Sequence, residues 1–101
     1  KEKRSIYSAS KSGLDGLTRT LALELAPFNI LVNSIAPGYV DTNMIRLYNS
    51  ENELEKIRKI IPLGRFAKPN EIGELVKFMC SEKNSYITGQ IIPIDGGYIT
   101  Q

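Results

Sequence analysis

The chain has 101 residues, 42% apolar and 24% charged, with a formal net charge of +2 and no histidine. That length allows one small domain; the weak charge supplies no strong basic field for a nucleic-acid or membrane surface, and no apolar run approaches the roughly 20 residues of a transmembrane helix. With Cys80 as its one thiol, the chain can form no intrachain disulfide, no His/Cys zinc cluster and no histidine-dependent nucleophile, and a reducing, cytoplasmic compartment is expected.

The first residues, Lys1-Glu2-Lys3-Arg4, carry neither an apolar core nor a cleavage site. They do not read as a signal peptide, and the missing initiator Met suggests a chain cut from something longer. From Ser5 to Ala26 the spacing predicts one helix, with Leu14, Leu17, Leu21 and Leu25 on a common face. Gly13 and Gly16 each cost a helix about 1 kcal/mol against Ala, so close approach of another backbone is expected there. Pro27 should end the helix. Ile30 to Ala36 is short and rich in β-branched residues. It reads as a buried parallel strand covered on both faces. Pro37-Gly38 then breaks the chain at the strand's carboxyl end, where open α/β sheets bind ligands. Tyr39-Val40-Asp41-Thr42 therefore either touches a ligand or forms a simple strand-to-helix turn.

Asn43 to Ile61 reads as a helical flap, broken at Tyr48-Asn49-Ser50. Ser50 and Glu53 have capping-box spacing, and Leu54, Ile57 and Ile61 make a stripe. The flap could cover a pocket or be a surface excursion. Lys56, Arg58, Lys59, Arg65 and Lys68 form a basic cluster. It is read as a solvated face or, more sharply, as a dock for an acidic carrier or a phosphate-bearing substrate. Pro69 to Ser81 should be a second helix, with Pro69 at its first position and Ile72, Leu75, Val76 and Met79 inward. Cys80 is expected to be a core thiol in that helix. Tyr86 to Gly89 is a turn, and Gln90 to Ile94 a strand that Pro93 confines to a sheet edge. Asp95-Gly96-Gly97 is a tight turn whose glycines need positive φ.

The pentapeptide Tyr7-Ser8-Ala9-Ser10-Lys11 carries the chemistry. Four residues advance a helix by about 6 Å and turn it about 40° past a full circle, so phenol and ammonium share one face. A cation beside a phenol favours its phenolate form, which suits passing a proton to or from an oxygen. A surface Tyr and Lys on a solvated helix would have the same spacing.

Together these motifs resemble the C-terminal part of the short-chain dehydrogenase/reductase family. The resemblance runs from Y-S-A-S-K at Tyr7 through L-A-L-E-L-A, N-I-L-V-N-S-I-A-P-G, Val40-Asp41-Thr42, P-L-G-R-F, P-N-E-I and Y-I-T-G-Q-I-I-P-I-D-G-G. Each piece is weak alone; their order and spacing are specific. The likeness is strongest to 3-oxoacyl-[acyl carrier protein] reductases and to similar reductases acting on sugars or alcohols. The resemblance implies an α/β fold: residues 1–101 as the C-terminal portion of one Rossmann-type doubly wound parallel sheet, in the order long helix, strand, helical flap, helix, edge strand. It implies hydride transfer between NAD or NADP and a carbonyl or alcohol substrate, in its narrower form one linked to a carrier protein. Tyr7 would be the acid/base. Lys11 would bond the nicotinamide ribose, Pro37, Gly38 and Val40 would line the nicotinamide, and Thr42 would reach the carboxamide or a phosphate. No metal is implied. Homo-dimers or homo-tetramers are, with the long helix packed between subunits.

Three parts of the family pattern are missing here: the glycine-rich dinucleotide loop, the asparagine of the preceding helix, and the catalytic serine, for which Ser5, Ser8 and Ser10 have the wrong spacing. The chain is accordingly expected to be an incomplete, inactive piece, marginal or oligomeric alone, because its strand keeps a single neighbour. A non-catalytic binding or oligomerisation module of the same fold is the alternative, and a coincidental α/β domain the third.

Overall fold

The computed structural model describes residues 4–100. In chain order the elements are α1 (Ser5–Leu25), a 3-10 turn (Ala26–Phe28), β1 (Ser34–Pro37), α2 (Asn43–Leu47), α3 (Glu51–Ile60), α4 (Pro69–Met79), β2 (Ile91–Ile94) and a 3-10 turn (Tyr98–Thr100). β1 pairs with β2. The Ser34 amide bonds to the Gln90 carbonyl and the Gly38 amide to the Ile94 carbonyl, at 2.8 and 3.0 Å. Both strands advance together, so the pair is parallel. The chain divides into two compact units, one holding 4–34 and 84–92, the other 35–83 and 93–100.

In the first unit α1 buries only Thr18 and Ala22. The Thr18 hydroxyl donates to the Leu14 carbonyl at 2.8 Å, which satisfies a polar group on the covered face. Ala22 faces Gly89, where an added Cβ would lie 3.4 Å from the Ala22 methyl. The expected leucine stripe is thus covered at its C-terminal half alone: Leu21 and Leu25 are half-buried, Leu14 and Leu17 exposed. Among the described residues nothing lies within 4 Å of a Cβ placed on Gly13 or Gly16. The expected backbone approach there is not made by any described residue. The helix ends at Leu25, one residue before the expected Ala26, and a 3-10 turn carries Pro27 in its first turn. Proline has no N–H with which to extend the α ladder. Asn29 closes the turn in the left-handed region, at φ 58°.

The strand expected over Ile30 to Ala36 instead spans Ser34–Pro37. The reason lies in its polar neighbours. The Val32 amide donates to the Thr88 hydroxyl at 3.0 Å, and the Asn33 side chain bonds both the Ile87 carbonyl and the Gln90 amide, at 2.9 and 3.1 Å. Before Ser34 one backbone bond, from the Gly89 amide to the Val32 carbonyl at 2.7 Å, is interspersed with these side-chain bonds, and no continuous ladder forms. The strand is also not covered on both faces: Ser34 to Ala36 are half-buried and Ile30 is exposed. The second strand begins at Ile91 rather than Gln90, and its Pro93 is exposed, as an edge position requires.

The second unit has its own core of Leu54, Ile61 and Phe66, with Tyr39, Ile45 and Ile57 packed against it. These include all three residues of the expected flap stripe. The flap folds as α2 and α3 with the break where expected, and α3 opens on a full capping box. Ser50 Oγ accepts from the Glu53 amide at 3.2 Å, and Glu53 Oε1 accepts from the Ser50 amide at 3.1 Å. α4 starts at Pro69 but ends at Met79, short of the expected Ser81. Ile72, Leu75 and Met79 are half-buried, while Val76 is exposed. Cys80 follows as the C-cap and is exposed, not a core thiol. It lies on the same uncovered face as Val76, one turn earlier. Gly96 and Gly97 take φ values of 64° and 90°, as the turn reading demands.

Candidate active site

Tyr7 and Lys11 lie one turn apart on α1, both exposed, with Tyr7 at 60%. The Ser10 hydroxyl donates to the Tyr7 carbonyl at 2.8 Å, so it is spent on the helix backbone. The remaining expected site residues sit on one loop of the second unit, running from the end of β1 to the start of α2. Pro37 closes β1 and is exposed. Gly38 is half-buried against the chain's last turn. A Cβ placed on it would stand 2.7 Å from the Asp95 Cβ and 2.8 Å from the Asp95 Cα, an approach that only glycine permits.

Val40 forms an isolated parallel bridge with Ala67. The bonds are made by its neighbours: the Asp41 amide donates to the Ala67 carbonyl at 2.8 Å, and the Ala67 amide to the Tyr39 carbonyl at 2.9 Å. In such a bridge the N–H and C=O of Val40 itself point to the opposite side. A donor and an acceptor thus stand side by side, the pattern a primary carboxamide matches. Thr42 caps α2, accepting the Ile45 amide at 3.3 Å. A hydroxyl that accepts there keeps its own proton to donate elsewhere.

Charge around this loop is organised in forks. Arg46 grips Asp41 through two bonds of 2.6 and 2.7 Å, and this hydrogen bonding holds the Asp41 carboxyl below its ordinary range. Arg65 grips Glu71 at 2.7 and 3.0 Å. Those bonds, then the Lys68 amide at 2.9 Å, pull the Glu71 carboxyl down to about 2. Arg58 pairs with Glu55 at 3.0 Å and lies over the Phe66 ring, 5.2 Å from its centroid. Two members of the expected basic cluster, Arg58 and Arg65, are therefore neutralised by carboxylates within the unit, which weakens its reading as a docking field. Beside Tyr39, Arg65, Glu71 and Asp95 lies a cavity of about 100 Å³, room for a few water molecules only. The forks have no signature in the sequence, and the turn reading of Asp95-Gly96-Gly97 did not include the packing of Asp95 on Gly38. Spacings of five and six residues are not helical neighbours, whereas Asp-Gly-Gly is a turn signal that could have pointed to Asp95.

Two parallel strands joined through helices define an α/β architecture, and its long helix carries the Tyr–Lys pair. Residues 1–99 match the family model for enoyl-(acyl carrier protein) reductase. The 3-oxoacyl-[acyl-carrier-protein] reductase FabG of Aquifex aeolicus is 50% identical over 91 residues, covering 90% of this chain and 36% of that protein. Its counterpart in Thermotoga maritima is 47% identical over 97 residues, covering 92% and 37%. The crystal structure of a short chain dehydrogenase family protein from Francisella tularensis superposes with a TM-score of 0.89 at 40% identity, covering 100% of this chain and 46% of that one. The chain belongs to the short-chain dehydrogenase/reductase family of oxidoreductases. It spans little more than a third of the length of the curated relatives it matches. No described helix is long and apolar enough to cross a membrane.

Proposed function

We propose that the chain is the C-terminal, substrate-side part of an NAD(P)-dependent reductase that converts a carbonyl to an alcohol. The observation that carries this reading is the Tyr7–Lys11 pair, one turn apart and exposed on α1. The Tyr7 phenol gives its proton to the carbonyl oxygen as that oxygen becomes an alkoxide. The Lys11 ammonium lies one turn away, stabilises the phenolate left behind and donates to the ribose hydroxyls. The residues of the loop fit a nicotinamide: Val40 offers an N–H and a C=O that no described residue takes, Thr42 offers a hydroxyl proton, and Gly38, packed on Asp95, holds the backbone beside them. Pro37 closes the strand beside them. When bound, NAD or NADP supplies the hydride.

The relatives' names favour a 3-oxoacyl group carried on acyl carrier protein as the substrate. With two of its five cations neutralised, the Lys56–Lys68 cluster alone is a weak dock for such a carrier. Exposed apolar side chains, among them Ile6 at 84%, Leu23 at 79% and Phe28 at 71%, support a chain whose apolar surface is covered in a larger fold or an oligomer. By itself it would be inactive. The retained Tyr7 and Lys11 weigh against a non-catalytic module. The test is deuterium transfer in the full-length reductase. Dinucleotide deuterated at the nicotinamide C4 should pass its label to the carbonyl carbon of a 3-oxoacyl thioester; unlabelled alcohol, or no alcohol, would overturn the reading.

A further inference from the structure

The loop from Pro37 to Val40 is braced by the last turn of the chain, within the second unit. The Gly38 amide donates to the Ile94 carbonyl at 3.0 Å, and Gly38 meets Asp95 with no room for a Cβ. The next side chain, Tyr39, meets Tyr98 edge to face, with centroids 5.7 Å apart and planes at 84°. The turn is itself held rigid. The two oxygens of the Asp95 carboxylate accept the Gly97 and Ile99 amides, each at 3.0 Å. On its other side the Gly96 carbonyl accepts the Leu63 amide at 3.1 Å. A Cβ on Gly97 would lie 3.2 Å from the Pro62 ring. One turn thus ties the loop to the end of the flap. Fixing Tyr39 also fixes which way the Val40 N–H and C=O face, since both residues share the bridge to Ala67.

We propose that Asp95 and Tyr98 are positioning residues for the dinucleotide: they hold the Gly38–Val40 backbone so that Val40 presents its N–H and C=O to the nicotinamide carboxamide. This rests on the reductase reading above. The effect is confined to the nicotinamide end of the ligand, which separates it from a general loss of structure. The experiment is a titration of the full-length reductase with reduced dinucleotide and, separately, with ADP-ribose, which lacks the nicotinamide. Tyr98→Ala, which removes an aromatic pair, should weaken dinucleotide binding by about three- to tenfold. It should leave ADP-ribose within about twofold. Tyr98→Phe keeps the ring and should restore the parent affinity. Tyr98→Leu retains bulk and hydrophobicity without the edge-to-face contact, and should show the same selective loss should the alanine variant fail to fold. Equal weakening for both ligands, or for neither, would overturn the proposal. A parent reductase that binds ADP-ribose but gains nothing from the nicotinamide would overturn it as well. Failure of the parent to bind either ligand would instead remove the reductase reading, and this proposal with it.

Discussion

Gly38→Ala is the sharpest probe of the loop. The new methyl carbon would stand 2.7 Å from the Asp95 Cβ and 2.8 Å from its Cα, against the roughly 3.5–4.0 Å at which carbon atoms rest in contact. One of the two opposing atoms is backbone and the other is fixed to it, so no side-chain rotation relieves the overlap. The Gly38 amide is also committed to the Ile94 carbonyl, which keeps the loop from backing away. Gly38 is not among the residues at positive φ. Alanine therefore brings no dihedral strain and would by itself gain about 0.4–1 kcal/mol from a stiffer unfolded chain. Overpacking of this kind costs about 1–3 kcal/mol, so the net change is destabilising. Thermal unfolding of the full-length reductase should show it as a drop of about 2–4 °C per kcal/mol lost. Dinucleotide affinity should fall in the same variant, because the loop must move. A Gly38→Ala protein as stable as its parent would refute the close packing of loop and turn.

Ser50→Ala removes the acceptor for the Glu53 amide and should cost about 1 kcal/mol in urea unfolding, read as a lower midpoint at unchanged slope; an unchanged midpoint would remove the capping box as a support of α3. Glu71 gives a pH test. Its carboxyl falls from the ordinary 4.5 to about 2 through the Arg65 bonds and the Lys68 amide. A lowered carboxylate stabilises the fold above its unfolded value, and that contribution is lost as pH drops from about 4.5 towards 2. Glu71→Gln should flatten stability against pH in that window, and a variant with the parent's slope would contradict the fork.

Much of the architecture was legible because it rests on local rules. The leucine spacing of α1, Pro69 at a helix start, Ser50 with Glu53, and the Asp-Gly-Gly turn each report a backbone need met within a few residues. What stayed hidden depends on distant partners. Residues 30–33 have strand composition, yet the Thr88 hydroxyl takes the Val32 amide and the Asn33 side chain takes the Ile87 carbonyl and the Gln90 amide, and the ladder starts only at Ser34. Cys80 keeps helical register with Val76, but no described element covers that face. The forks from Arg46 to Asp41 and from Arg65 to Glu71 span non-helical spacings, and the Tyr39–Tyr98 contact joins positions 59 residues apart. In the candidate site the Tyr–Lys pair was legible because one helix carries both groups. The orientation of Val40 was not, because the bridge to Ala67 sets it.

The proposed chemistry requires Tyr7 to be the proton donor in a full-length reductase. Tyr7→Phe should abolish carbonyl reduction while dinucleotide titration of the same sample stays within about twofold of the parent, since the phenol oxygen serves chemistry and the Lys11 ammonium serves binding. Turnover close to the parent rate in that variant would contradict it.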